Sequence, residues 1–131
     1  MTGVTVTAES GSTTIFGHDV SDLQTNLAVA DGAITGTLKY VDSGALASDW
    51  GAGNFMALKF TNVDERAASV KVGLQPSEGS GLVELLGDPD MNGVFKVTDK
   101  STQKFVVVSK DTGGQVVRQE FDLSGLTLED S

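Results

Sequence analysis

The sequence predicts an all-β fold: a single-domain antiparallel β-sandwich, immunoglobulin-like or related, with a small β-barrel as the alternative. Three observations predict it. Sixteen glycines and only two prolines punctuate the 131 residues. The stretches between the glycines are rich in Val, Thr, Ile and Phe, which suit a pleated, half-buried surface. Apolar and polar residues alternate in short runs, spaced as in a sandwich or barrel. No linker or internal repeat divides the chain, so 1–131 reads as one β domain.

Each element has its own warrant. Val4 and Val6 alternate with Thr5 and Thr7 as a first strand. Ser10-Gly11-Ser12 makes a turn, and Thr13 to Phe16 a second strand closing at Gly17. Residues 19–27 carry Val20, Leu23 and Leu27 at helical spacing after a capping Ser21-Asp22, which predicts a loop or short helix. Asp31-Gly32 is a hairpin dipeptide. After it, Ile34, Gly36, Leu38 and Tyr40 share one strand face, and Thr35, Thr37 and Lys39 the other. Residues 41–53 read as loop, and Asn54 to Thr61 returns to strand.

Val70, Val72 and Leu74 mark the next strand, and 75–81 a surface loop. Leu82 to Leu86 is a short strand, and Gly87 to Gly93 a turn. Strands follow at 94–97, 104–108 and 115–121, and a last one over 123–128. No connection holds a long helix, which argues against parallel βαβ units.

Composition narrows the functions. Eighteen acids face nine bases, a net charge of −9. Such a chain is repelled by nucleic acid phosphates and by anionic lipid surfaces, so neither is an expected partner. It lacks cysteine, which removes disulfides, thiolate nucleophiles and cysteine zinc sites. The start, Met1-Thr2-Gly3-Val4, has neither the basic nor the apolar region of a secretory signal, so synthesis in the cytoplasm is expected. No apolar run exceeds four residues, far short of a membrane span. Charge is uneven along the chain: Lys39 is the one base in the first 58 residues, against six acids. Solubility is the simple reading of that bias.

Four features invite a chemical reading. Asp88-Pro89-Asp90-Met91-Asn92-Gly93 matches the opening of a calcium loop, with Asp99 at its twelfth position. Asp88, Asp90, Asn92 and Asp99 would supply four side-chain ligands to Ca²⁺. Pro89 stiffens that loop, Asp99 is short for a bidentate ligand, and strands rather than helices flank it. The β-turn reading therefore outweighs the metal reading, and no cofactor is assigned. His18, the lone histidine, stands beside Asp19, but no serine is marked out as its nucleophile. Trp50 lies in a glycine-rich loop and either anchors that loop or inserts into a partner. The glycines at 17, 32, 36, 51 and 53 form no nucleotide motif. No catalytic residue is assigned, and an enzyme is not expected.

Several segments carry a resemblance together. They are Thr13 to Gln24, with Ile15-Phe16-Gly17-His18-Asp19; Gly36 to Tyr40; and Gly53 to Phe60. Ser69 to Leu74, Asp90 to Lys100 and Phe121 to Leu126 complete the set. The set resembles a family of small virion structural proteins of tailed bacteriophages and prophages, the capsid (head) decoration proteins. The resemblance spans nearly the whole chain and carries no catalytic residues. It implies a protein made in the host cytoplasm and residing in the virion, on the capsid surface. It implies binding to the lattice of the major capsid protein, which it reinforces; repetition across that lattice, or a homotrimer at a threefold axis, would raise avidity. A tail tube or tail accessory subunit is the near alternative. A carbohydrate- or cell-surface-binding module is the distant one, disfavoured by one Trp and one Tyr.

Overall fold

The computed structural model describes residues 4–8, 14–15, 18–19, 26–42, 48, 50–62, 67–75, 83–85, 90–111 and 113–129. Within them the chain is a β-sandwich of two sheets and a small hairpin. The first sheet holds β1 (Val4–Ala8), β6 (Tyr40–Val41), β7 (Gly53–Asn62) and β10 (Asp90–Val97). The second holds β4 (Asn26–Ala30), β5 (Ala33–Leu38), β8 (Ala67–Gln75), β9 (Val83–Leu85), β11 (Lys104–Asp111), β12 (Val116–Asp122) and β13 (Leu126–Leu128). β2 (Thr14–Ile15) and β3 (His18–Asp19) pair with each other.

β7 is the spine of the first sheet. β10 runs along one side of it, and β1 and β6 share the other. β11 is the spine of the second sheet, between β8 and β12. Lys39 separates β5 from β6, so one extended run passes from the second sheet to the first. Neither sheet closes on itself, so the barrel alternative is not what forms.

One hydrophobic cluster fills the space between the sheets. Val4, Val6, Met56, Leu58, Phe60 and Val97 enter from the first sheet. Ile34, Leu38, Val70, Val72, Phe105, Val107 and Phe121 enter from the second. Phe105 is its hub. Its ring lies 4.8 Å from Phe95, 5.7 Å from Phe60 and 6.3 Å from Phe121. Edge-to-face and offset contacts of this kind add to the gain from burial.

Four expectations need correction. The helical spacing over 19–27 does not carry through to Leu27, because Asn26–Ala30 is a strand. Leu27 and Val29 alternate inward against the core, and β5 supplies the ladder. Residues 20–25 lie outside the described set. The turn over 87–93 is shorter than expected, since β10 begins at Asp90. Pairing of 90–93 with 58–61 of β7 overrides the turn preference of Asp, Asn and Gly. The second sheet is mixed rather than antiparallel, because β13 runs parallel to β5. The last strand is Leu126–Leu128, not 123–128. Before it a turn forms, with Ser124 N donating to Asp122 Oδ1 at 2.8 Å and Leu126 N donating to Leu123 O at 3.0 Å.

Two backbone positions fix the β4–β5 hairpin. Asp31 and Gly32 have φ of 53° and 72°, the paired positive angles of a two-residue type I′ turn. Gly36 has φ of 126°, and a Cβ there would stand 1.8 Å from Asn26 O. Only glycine lets β4 lie this close.

Side chains then tie the sheets together. The Gln119 amide on β12 accepts from Val4 N at 3.0 Å and donates to Val4 O at 2.9 Å. It thus satisfies a backbone edge of the other sheet, as a neighbouring strand would. Asn54 Nδ2 donates to Glu129 O at 3.1 Å, and Glu129 N to Leu38 O at 3.1 Å, which fastens the segment after β13.

Candidate functional site

The outward faces of the two sheets are unlike. On the first, Phe55 and Ala57 alternate with the core residues Met56 and Leu58, so they point away from the main cluster. Both are nevertheless buried, with 0% and 1% exposure. Part of the cover is visible. The Trp50 ring lies 6.1 Å from the Phe55 ring, tilted by 37°. Lys96 Nζ stands 5.9 Å from the Phe55 centroid and donates to Trp50 O at 3.4 Å. Its stem crosses Gly53, where a Cβ would meet Lys96 Cε at 2.6 Å. Trp50 therefore packs against β7 while keeping 38% of its surface in solvent.

The second sheet presents a charged outward face. Register places Lys110, Val116 and Ser69 in one row across β12, β11 and β8. Val108, Arg118 and Lys71 form the next row, and Val106, Glu120 and Gly73 the third. Lys104, Asp122 and Gln75 form the last. Lys71, Lys104, Lys110, Arg118, Glu120 and Asp122 are all exposed. Arg118 reaches diagonally across β11 and donates from Nη2 to Gln75 Oε1 at 3.1 Å. Its Nε stands 3.7 Å from Glu120 Oε2. That bridge spans the row of Val106, which is fully buried although it faces outward.

The residues singled out by sequence are not brought together. Asp90 opens β10 and Asp99 follows its end. Nine steps of extended chain part them by about 30 Å. Asn92 lies within the same strand, and Asp88 is outside the described residues. The twelve-residue calcium spacing thus falls on a strand, not a loop. Asp99 instead organises the β10–β11 turn. Its Oδ1 accepts from Ser101 N at 3.0 Å and Ser101 Oγ at 2.6 Å. Hydrogen bonds from the side chains of Ser101 and Thr102 hold its carboxyl below the ordinary value. Gln103 Oε1 completes the turn by accepting from Thr98 N and Asp99 N at 3.0 and 2.9 Å. Asp122 is likewise held low, chiefly by the Ser124 backbone N–H.

Among the described residues no group of three or more His, Asp or Glu side chains could hold a metal ion. Within them, no helix is long and apolar enough to cross a membrane. His18 lies in β3, in register with Ile15. Of the six early acids, Glu9, Asp22 and Asp49 are outside the described set. Asp31 and Asp42 are exposed at opposite ends of the β5–β6 run, so these two build no common patch.

Sequence reading missed two features. The charged face gathers side chains from β8, β11 and β12, and no local motif marks it. The Gln119 bridge joins residues 115 apart and leaves no sequence signal. Compared with known proteins, the chain matches no family model, no curated protein and no solved structure.

Proposed function

We propose that this protein is a structural component of a tailed-phage virion, bound as a decoration protein to the outer surface of the assembled head and reinforcing it. The resemblance read from the sequence, from Thr13 to Leu126, motivates the reading. The observation that carries it is the exposed outward face of β8, β11 and β12, backed by the aromatic core around Phe105. A rigid sandwich with a solvent-facing charged sheet suits repeated docking on a lattice. Each contact can be weak there, because many copies bind one assembly. A net charge of −9 keeps the free subunit soluble and away from packaged nucleic acid.

The test is co-sedimentation of the purified protein with undecorated heads of its own phage, followed by electron microscopy. Saturable binding at regular lattice positions is expected. Failure to bind heads combined with binding to tails would move the protein to the tail. Binding only to glycans would replace the virion role altogether.

A further inference from the structure

A sheet edge presents backbone groups that no strand receives. At β1 the Gln119 amide engages Val4 N and Val4 O. At β13 Lys100 Nζ donates to Leu126 O at 2.6 Å. The edge strand β9 is only three residues long. β10 differs. It is eight residues long and pairs along its whole length with β7, and among the described residues no strand pairs with its other side.

The ladder fixes which groups are left over. Val4 bonds to Gln119 through both its N–H and its C=O, so both point away from β7. In an antiparallel pair that direction alternates from residue to residue. Counted through the register, β7 bonds to Met91, Gly93, Phe95 and Val97, and the backbone groups of Asn92, Val94 and Lys96 point out from the free edge. Among the described residues nothing bonds to those groups. The β2–β3 hairpin lies near β10 but pairs only with itself. The flank of the core is open here too. Phe95 lies 4.8 Å from Phe105 and 6.2 Å from Phe60, which are both fully buried, yet it is itself only half-buried.

The sequence of β10 says what fits this edge. Set antiparallel to itself about Gly93, it places Lys96 opposite Asp90, Phe95 opposite Met91 and Val94 opposite Asn92. Opposite charges meet at both ends, like charges nowhere, and apolar residues meet between them. The Lys96 ammonium has three N–H donors and gives one to Trp50 O. The same register sets the outward-pointing groups of Val94 against those of Asn92.

We infer that β10 pairs antiparallel with β10 of a second copy of this chain, across a two-fold axis at Gly93, joining the two first sheets into one. One edge meets its own copy, so the contact is isologous and closes at the dimer. It stands apart from the capsid reading, since free copies alone are enough to form it.

Two measurements on the full chain test it, both at ionic strength about 0.15 M, where a screening length of about 8 Å quiets the repulsion between copies of net charge −9. The first is amide exchange by NMR, on dilute protein and at about 1 mM, high enough for a weak contact to register. In dilute protein the Val94 and Lys96 amides are expected to exchange quickly and those of Phe95 and Val97 slowly. On concentration, Val94 and Lys96 become protected. Fast exchange of these two at both concentrations overturns the inference, and so does protection already present in the dilute monomer.

The second is sedimentation velocity over the same concentrations. Val94→Pro removes an N–H that β7 does not use, a place where an edge strand tolerates proline, and is expected to weaken the dimer by about tenfold or more. Lys96→Glu sets like charges opposite each other at both ends and is expected to weaken it by about tenfold, and adding Asp90→Lys restores it to within about threefold. Lys39→Glu makes the same change in net charge away from the edge and keeps the affinity within about threefold. Circular dichroism verifies the fold of each variant, and the charge swap stands if the proline variant does not fold. A wild type that stays monomeric overturns the inference. So does a Lys96→Glu loss that Asp90→Lys fails to restore, or an equal loss in Lys39→Glu.

Discussion

β7 and β11 are the central strands of their sheets, and they are buried in different ways. On β7, Met56, Leu58 and Phe60 face the core, while the other side is buried at Phe55 and Ala57 and partly exposed at Lys59 and Thr61. β11 sends Phe105 and Val107 inward and alternates Lys104, Val106, Val108 and Lys110 outward. A strand buried twice loses its alternation, and Phe55-Met56-Ala57-Leu58 is the unbroken run that results. β11 carries a run of the same length, Phe105-Val106-Val107-Val108, because Val106 is buried on the outward side, and only its ends Lys104 and Lys110 are exposed. The difference separates roles. The outward side of the first sheet is used for internal packing under Trp50 and Lys96. The outward side of the second is buried at Val106 and exposes charged side chains around it, at Lys71, Lys104, Lys110, Arg118, Glu120 and Asp122.

The largest effect tests the shared interior. Phe105→Ala removes the ring at the hub of the aromatic cluster and is expected to cost about 3–5 kcal/mol of unfolding free energy. Urea denaturation reads it, and a loss below about 1 kcal/mol would mean the two sheets do not pack through this ring. Phe55→Ala tests the second burial of β7. It is expected to cost about 3 kcal/mol and to shift Trp50 fluorescence to longer wavelength, because Trp50 loses the surface it packs on. A neutral result would make the outward side of the first sheet as open as that of the second.

Gln119→Ala comes next, at about 1–3 kcal/mol, because it orphans both backbone groups of buried Val4. Amide exchange at Val4 is expected to accelerate, and unchanged protection would show that another group holds this edge. Ser109→Ala has the opposite sign. Ser109 faces inward, fully buried, and its Oγ finds no hydrogen-bond partner among the described residues. Removing the hydroxyl is expected to raise stability by about 1 kcal/mol in the same denaturation assay.

The smallest effect is acid dependence. Asp99 and Asp122 are held below the ordinary value of 3.8. Lowered folded-state values mean that their stabilisation is fully present above 3.8 and is lost as pH falls through the folded values. Carboxyl titration by NMR should show Asp99 rising toward 3.8 in Ser101→Ala, since Ser101 is the largest cause of its shift. An Asp99 that titrates identically in both proteins would remove that cause.

The fold was legible where period two was clean. Val4 to Thr7, Ile34 to Leu38 and Val70 to Leu74 alternate, and each lies in a strand. The misses came from tertiary pairing. Asn26–Ala30 reads as ambiguous alone and becomes a strand because β5 offers a ladder, with Gly36 making room. Asp90 to Gly93 has turn chemistry but a partner in β7. Parallel pairing of β13 with β5 joins residues some 90 apart, which periodicity does not report. The packing of Trp50 against Phe55 and Lys96 leaves no signal in the sequence.

The contrast between the two outward faces is tested most directly by amine footprinting of the dilute protein with mass spectrometry. In dilute protein Lys71 and Lys110 should react quickly, and Lys96, laid across Gly53 and Phe55, more slowly. Lys96 as reactive as Lys71 would contradict the difference between the two outward faces.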